Sequence, residues 1–198
     1  RVPHAEEAFG FAFERVVLYT ESLGIGTTWI GGTMDRGAFE RAMDLRADEV
    51  MPCVSPLGYP AAKMSLRESM MRKGVKADAR LPFGELFYDG DFQTPLTPEK
   101  AGTLAEALEL VRWAPSAVNK QPWRVVVRGD SVYFYEKKSK GFKNAEGWDM
   151  QKIDMGIALC HFASAMEEQG RKQTFSLDEP ELSHPEDTAF IAAFCLLP

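Results

Sequence analysis

Between residues 114 and 127 the chain reads APSAVNKQPWRVVV. Ser116, Asn119 and Gln121 bring hydrogen-bonding side chains together at short spacing, and Pro115 and Pro122 flank them. A loop of this kind can hold a planar, heteroatom-rich ring. Ser116 and Asn119 supply donors and acceptors, and the prolines fix the backbone so that little ordering entropy is lost on binding. The same composition also describes an ordinary helix-to-strand turn, because Ser, Asn and Pro are turn residues. Composition alone favours the turn. A second segment, GIGTTWIGGT (24–33), is rich in glycine. Its glycines either let the backbone approach a ring with no Cβ in the way or serve a turn that needs positive φ.

Other chemistry is not visible. No His/Asp/Ser or metal-ligand constellation stands out, so no catalytic side chain and no metal are assigned. His161 lies in an apolar helical pattern and reads as a hydrogen-bonded core histidine; His4 and His184 fall in end or loop settings. Cys53, Cys160 and Cys195 are far apart in apolar surroundings and read as buried free thiols in a reducing cytoplasm. The formal charge is −6 and no basic stretch is interleaved with regularly spaced aromatics, so nucleic acid is not expected as a partner. No apolar run approaches the roughly 20 residues a membrane helix needs.

The elements that would position these residues follow from periodicity. Ala5, Ala8, Phe9, Ala12, Phe13, Val16 and Val17 recur at helical spacing, with Glu6, Glu7, Glu14 and Arg15 on the other face, and Gly24 is placed to end that helix. Asp35 can cap a short helix through Met43. Residues 50–59 (VMPCVSPLGY) read as a buried strand with bends at its prolines, and 61–100 as a long surface excursion. Thr97-Pro98 starts a helix with a buried stripe of Leu104, Ala107, Leu108 and Val111, which Pro115 ends. Residues 124–137 read as a hairpin turning at Gly129-Asp130. Asp149 to Gln169 is a central helix, and 174–178 and 189–197 are closing strands. The class is α+β, a mixed or antiparallel sheet packed with helices around a central buried helix.

The order Pro-Ser-Ala-x-Asn-x-Gln-Pro-Trp resembles the flavin-contacting loop of the FMN-dependent nitroreductase family. GIGTTWIGG, the strand ending in PLGYPA, and IDMGIALCHFASAMEEQG are similar to further parts of that family. The resemblance implies an FMN cofactor and NAD(P)H as co-substrate, with hydride passing through flavin N5 to a small-molecule electron acceptor such as a nitroaromatic, a quinone or a flavin. It implies that Pro115, Ser116, Ala117 and Asn119 hold the ring and ribityl chain, with Gln121 bracing the loop. It implies that the backbone of Trp29, Ile30, Gly31 and Gly32 faces the reactive edge. The FMN phosphate would meet Arg80, in Arg80-Leu81-Pro82, and Lys76; Asp78 stands where a second basic residue would be expected.

In ordinary members the Pro-Ser loop comes early and the Trp-Ile-Gly-Gly segment late, and FMN lies between two subunits. Here the order is reversed on one chain. That resembles the tandem, pseudo-dimeric members, and implies one domain over 1–198 with halves of about 1–95 and 96–198, one flavin between them, and a monomer. The family's early Arg-Arg-Ser type phosphate motif is not found, and the chain starts at Arg1 without a methionine, so either that motif lay upstream in a longer product or this protein does without it. A non-catalytic flavin- or ligand-binding protein on the same fold, and a structural domain whose Pro-Ser loop is only a loop, stay open as alternatives.

Overall fold

The computed structural model describes residues 2–142 and 148–197. In chain order the elements are helices α1 (Ala5–Ser22), α2 (Arg36–Ala42), α3 (Leu66–Gly74) and α4 (Phe83–Leu86), strand β1 (Phe87–Asp89), helices α5 (Pro98–Ala101) and α6 (Ala105–Trp113), strands β2 (Trp123–Arg128) and β3 (Ser131–Lys137), helix α7 (Met150–Glu168), and strands β4 (Gln173–Ser176) and β5 (Thr188–Leu196). The chain divides into two compact units, one of Arg1–Glu14 with Ser65–Pro198 and one of Arg15–Met64.

The first unit is built on a five-stranded mixed sheet in the order β1-β2-β3-β5-β4. β2 and β3 form the expected hairpin, Arg128 opposite Ser131, with Gly129 at φ 59° in the turn. β1 runs parallel to β2. A parallel neighbour needs a crossover, and α5 and α6 supply it. Thr97 caps α5 by accepting from Lys100 N, with Pro98 at the first helical turn. α6 buries Ala107, Leu108 and Val111, the stripe its spacing indicates. α7 starts at an Asp149 cap and is buried on nearly every side. Phe162 of α7 meets Phe134 of β3 and Phe194 of β5 at ring separations of 5.5 and 5.1 Å, which ties helix to sheet.

The N-terminal part of α1 turns a different face inward from the one its apolar spacing indicates. Glu6, Glu7, Gly10 and Glu14 are its buried residues. The cause is backbone proximity to α7. A Cβ at Gly10 would stand 2.1 Å from Ile153 O, and one at Gly156 only 2.0 Å from Glu7 O. Only glycine on both helices permits this crossing, and it rotates the acids toward α7. His161 Nε2 then lies 2.9 Å from Glu14 Oε1, so the core histidine has its partner. Lys152 Nζ comes within 3.5 Å of Glu7 Oε1.

In the second unit, Gly24 closes α1 at φ 72°, and Asp35 accepts from Ala38 N to cap α2. Residues 50–59 do not form a strand. They make two isolated antiparallel bridges, Ile30 with Val54 and Gly26 with Gly58. Pro52, Pro56 and Pro60 interrupt any longer ladder, since proline has no N–H to give. Two further expectations need correcting. Leu66–Gly74 is a helix, capped by Ser65, inside the segment read as irregular. Cys195 is exposed, and only Cys160 of the three free thiols is buried.

Candidate functional site

The turn at 115–121 joins α6 to β2, and it is held in an unusual conformation. Val118, Asn119 and Gln121 have φ of 45°, 56° and 49°. The left-handed region costs an L-residue roughly 1–2 kcal/mol and is worst for a β-branched one such as Val118. Strain of this kind persists only where surrounding bonds over-determine it. Here they do. Ser116 Oγ accepts from Gln121 N at 2.9 Å. Gln121, buried, accepts from Leu81 N at 2.9 Å through Oε1 and donates to Asn119 O at 3.2 Å. Asp154 of α7 accepts from Ala117 N.

Asn119 reaches across to the segment after α3. Its Nδ2 donates to Lys76 O at 2.7 Å and to Ala79 O at 2.8 Å. Its Oδ1 accepts from Arg80 Nη1 at 3.3 Å. Arg80 also donates to the carbonyls of Ala77 (2.7 Å), Ala79 (2.9 Å) and Trp113 (3.2 Å), and its guanidinium lies 4.8 Å from the Trp113 ring centre. The structure therefore brings together five of the residues singled out in the sequence: Ser116, Ala117, Asn119, Lys76 and Arg80. Pro115 adjoins them in the chain. Trp29, Ile30, Gly31 and Gly32 belong to the second unit. There Ile30 exchanges both backbone bonds with Val54, at 3.0 and 2.9 Å. Arg36 donates to Met51 O, and more loosely to Gly31 O and Pro52 O. Gly32 is not in the left-handed region, and a Cβ there would meet open space. A positive-φ turn therefore does not explain that glycine.

The neighbourhood of the turn is cationic. Burial lowers the Arg80 pKa first and the charge of Arg112 second; Asp78 pulls it back up, and Arg72 adds a lesser push downward. Asp78 is engaged with Arg72, and Arg112 forms a two-pronged pair with Glu109 at 2.8 and 2.7 Å. Lys76 is exposed, and Ser116 spends its oxygen but not its proton on the turn. Positive charge and a hydroxyl donor on this turn and the segment that faces it suit an anionic, hydrogen-bonding ligand. Sequence reasoning missed the bracing set: Asp154 lies 37 positions from Ala117, and Arg112 and Trp113, though next to the loop, meet partners at Leu81 and Arg80 that are 31 and 33 positions away.

Two cavities of about 510 and 540 Å³ lie elsewhere in the first unit, and none of their lining residues belongs to 115–121. The second is lined by Glu136, whose carboxyl is pushed up to about 7, by burial first and by the Asp149 charge second, against Lys152 and Lys138. Because the folded value lies above the unfolded one of about 4.5, this group's contribution is fully present below that pH and is lost as pH rises to about 7. Glu136→Gln removes the penalty. The variant should gain on wild type between pH 5 and 8 by about 2 kcal/mol, allowing for solvent screening. Urea unfolding of both proteins across that range checks it; parallel pH profiles would refute it.

Among the described residues no helix is long and apolar enough to cross a membrane, and no cluster of His, Cys, Asp and Glu suits a metal ion. No curated protein matches the chain. The crystal structure of a "putative nitroreductase" from Thermotoga maritima MSB8 matches at a TM-score of 0.56 and 22% identity, covering 96% of this chain and 64% of that one. The chain thus spans less than two thirds of that protein, and the likeness shows a nitroreductase fold. A family model described as "Putative TM nitroreductase" matches residues 2–166, most of the chain. With that match added to the strained Pro-Ser turn and the mixed sheet behind it, the chain belongs to this nitroreductase family.

Proposed function

We propose that the protein is an FMN-dependent NAD(P)H oxidoreductase of nitroreductase type. Family membership points to an oxidoreductase, and the braced cationic turn at 115–121 is the observation that carries the finer reading. FMN, when bound, supplies hydride transfer between NAD(P)H and a nitroaromatic, quinone or flavin acceptor. The chain's part is to bind and orient. The backbone of Pro115 and Ser116 and the Ser116 hydroxyl offer polar groups to the ring and ribityl chain, and Ala117, its N–H given to Asp154, shapes the turn that presents them. Lys76 offers positive charge to the phosphate, while Arg80, committed to the carbonyls of Ala77, Ala79 and Trp113, holds the segment after α3 against the turn. A flavin contact for the backbone of Trp29, Ile30, Gly31 and Gly32 rests on the family resemblance. No side chain has to move a proton.

The test is the visible spectrum of the purified protein before and after incubation with FMN and desalting. A retained flavin band, bleached by NADH or NADPH under anaerobic conditions, supports the enzyme. No retained flavin refutes the reading. A retained flavin that takes up no hydride points to the second reading, a non-catalytic flavin-binding protein. That reading draws on the internal use of Asn119 and most of Arg80, which leaves fewer groups for a ligand.

Asn119→Ala removes all three side-chain ties to the segment after α3. FMN should dissociate roughly tenfold more readily, about 1.4 kcal/mol. Flavin fluorescence titration measures it, and an unchanged affinity would remove Asn119 from the site.

A further inference from the structure

We infer that Asp154 is the positioning residue of this site: it reaches from the central helix to the Ala117 amide and holds the strained 116–121 turn in the conformation that receives ligand. The inference rests on the flavin reading above for the identity of the ligand, but not for the positioning itself.

Asp154 is 3% exposed. Its two carboxyl oxygens lie 3.0 and 3.1 Å from Ala117 N. A helix interior is a poor place for a buried acid, and the surroundings make it worse. Burial raises its pKa, the Ala117 N–H works against that rise, and the carboxylates of Asp149, at the helix cap, and Glu136, on β3, add to it. The Ala117 amide is the partner the structure provides. That amide opens the tight 3₁₀ turn Ala117–Asn119, immediately before the residues forced to positive φ. Asn119 N then donates to Ser116 O, and Gln121 N to Ser116 Oγ, both at 2.9 Å, so fixing residue 117 fixes the register of the bonds around it. The other ties of the turn run to residues 76–81, at the surface of the unit, and to Arg124 of β2, which donates to Gln121 O at 3.0 Å. Among the described residues Asp154 alone anchors it to the buried helix α7.

Two variants cut the bond from opposite ends. Asp154→Ala removes the acceptor and Asp154→Asn keeps an acceptor of the same shape. Ala117→Pro removes the donor and leaves Asp154 untouched; Ser116 at φ −150° and ψ 156° is already where a residue before proline must be. The readouts are amide hydrogen exchange at Asn119 and Gln121, with Val125 and Phe134 of the sheet as controls, and FMN affinity by fluorescence. We expect Asp154→Ala and Ala117→Pro each to raise exchange in the turn and the FMN dissociation constant at least tenfold with the controls unchanged. Asp154→Asn should stay within threefold of wild type in both. Turn exchange and FMN affinity within threefold of wild type in Ala117→Pro would overturn the inference, whether or not Asp154→Ala folds. So would a loss spread evenly over the sheet amides that Asp154→Asn does not rescue. A wild-type protein that binds no FMN would refute the flavin reading, and the exchange data would then decide the role of Asp154 without it.

Discussion

Gly156→Val should unfold the first unit or come close to it. A Cβ at position 156 would lie 2.0 Å from Glu7 O, 2.8 Å from Glu7 C and 2.8 Å from Phe11 N, all backbone atoms that no rotamer change can move aside. The helices would have to separate. The neighbouring contacts would go with them: Glu14 with His161, and Lys152 with Glu7. Overpacking alone costs typically 1–3 kcal/mol, and a buried acid that loses its partner adds more. We expect a loss of about 4 kcal/mol or more, a large part of the stability of a domain this size. Gly10→Val, facing Ile153 O, should behave alike, whereas Gly129→Ala, whose Cβ meets nothing within 4 Å, should cost only the strain of its positive φ. Thermal and urea unfolding of the three variants separates the cases. A Gly156→Val protein within 1 kcal/mol of wild type would mean that the close crossing is not real.

Arg80→Ala should weaken FMN and riboflavin by the same factor, about 30- to 100-fold, or about 2–3 kcal/mol. Equal loss is the informative part. A residue whose main work is to meet a phosphate would discriminate between the two ligands, because riboflavin has none. Arg80 donates to Ala77, Ala79, Trp113 and Asn119, so its removal frees the end of α6, the segment after α3 and the 119 side chain together. Arg80→Lys cannot replace a planar fork that serves several acceptors, and should recover less than half of the lost free energy. Loss confined to FMN would instead assign Arg80 to the phosphate.

The sequence was most legible where local rules act alone. Thr97-Pro98, Gly129-Asp130 and the Asp35 cap each mark an element edge through the chemistry of one or two residues, and the structure has an edge at each. The central helix showed itself because apolar residues surround Cys160 on every side. The reading faltered where tertiary geometry overrules a pattern. The spacing of Phe9, Phe13 and Val16 describes a good amphipathic helix, but the glycine at 10 decides which face its N-terminal part turns to α7. Residues 50–59 carry strand-forming side chains, but three prolines in reach leave only two bridges. Around the turn, Ser116 and Asn119 were visible as polar residues in a loop. That Asn119 spends its amide on carbonyls of 76 and 79, and that Asp154 lies beneath Ala117, are facts of long-range placement that no local spacing encodes.

The glycine crossing also orders events in time. The Glu14 and His161 side chains it brings together are 147 positions apart in the chain, and the hairpin of β2 and β3 closes over two residues. Closing the longer loop costs more chain entropy, so the hairpin and its neighbours can form before α1 has found α7. Docking of α1 then belongs to the late, downhill side of the folding barrier. Substitutions at Gly10, Glu14 or His161 that leave the protein folded should accordingly shorten the life of the native state while leaving the rate of reaching it almost untouched.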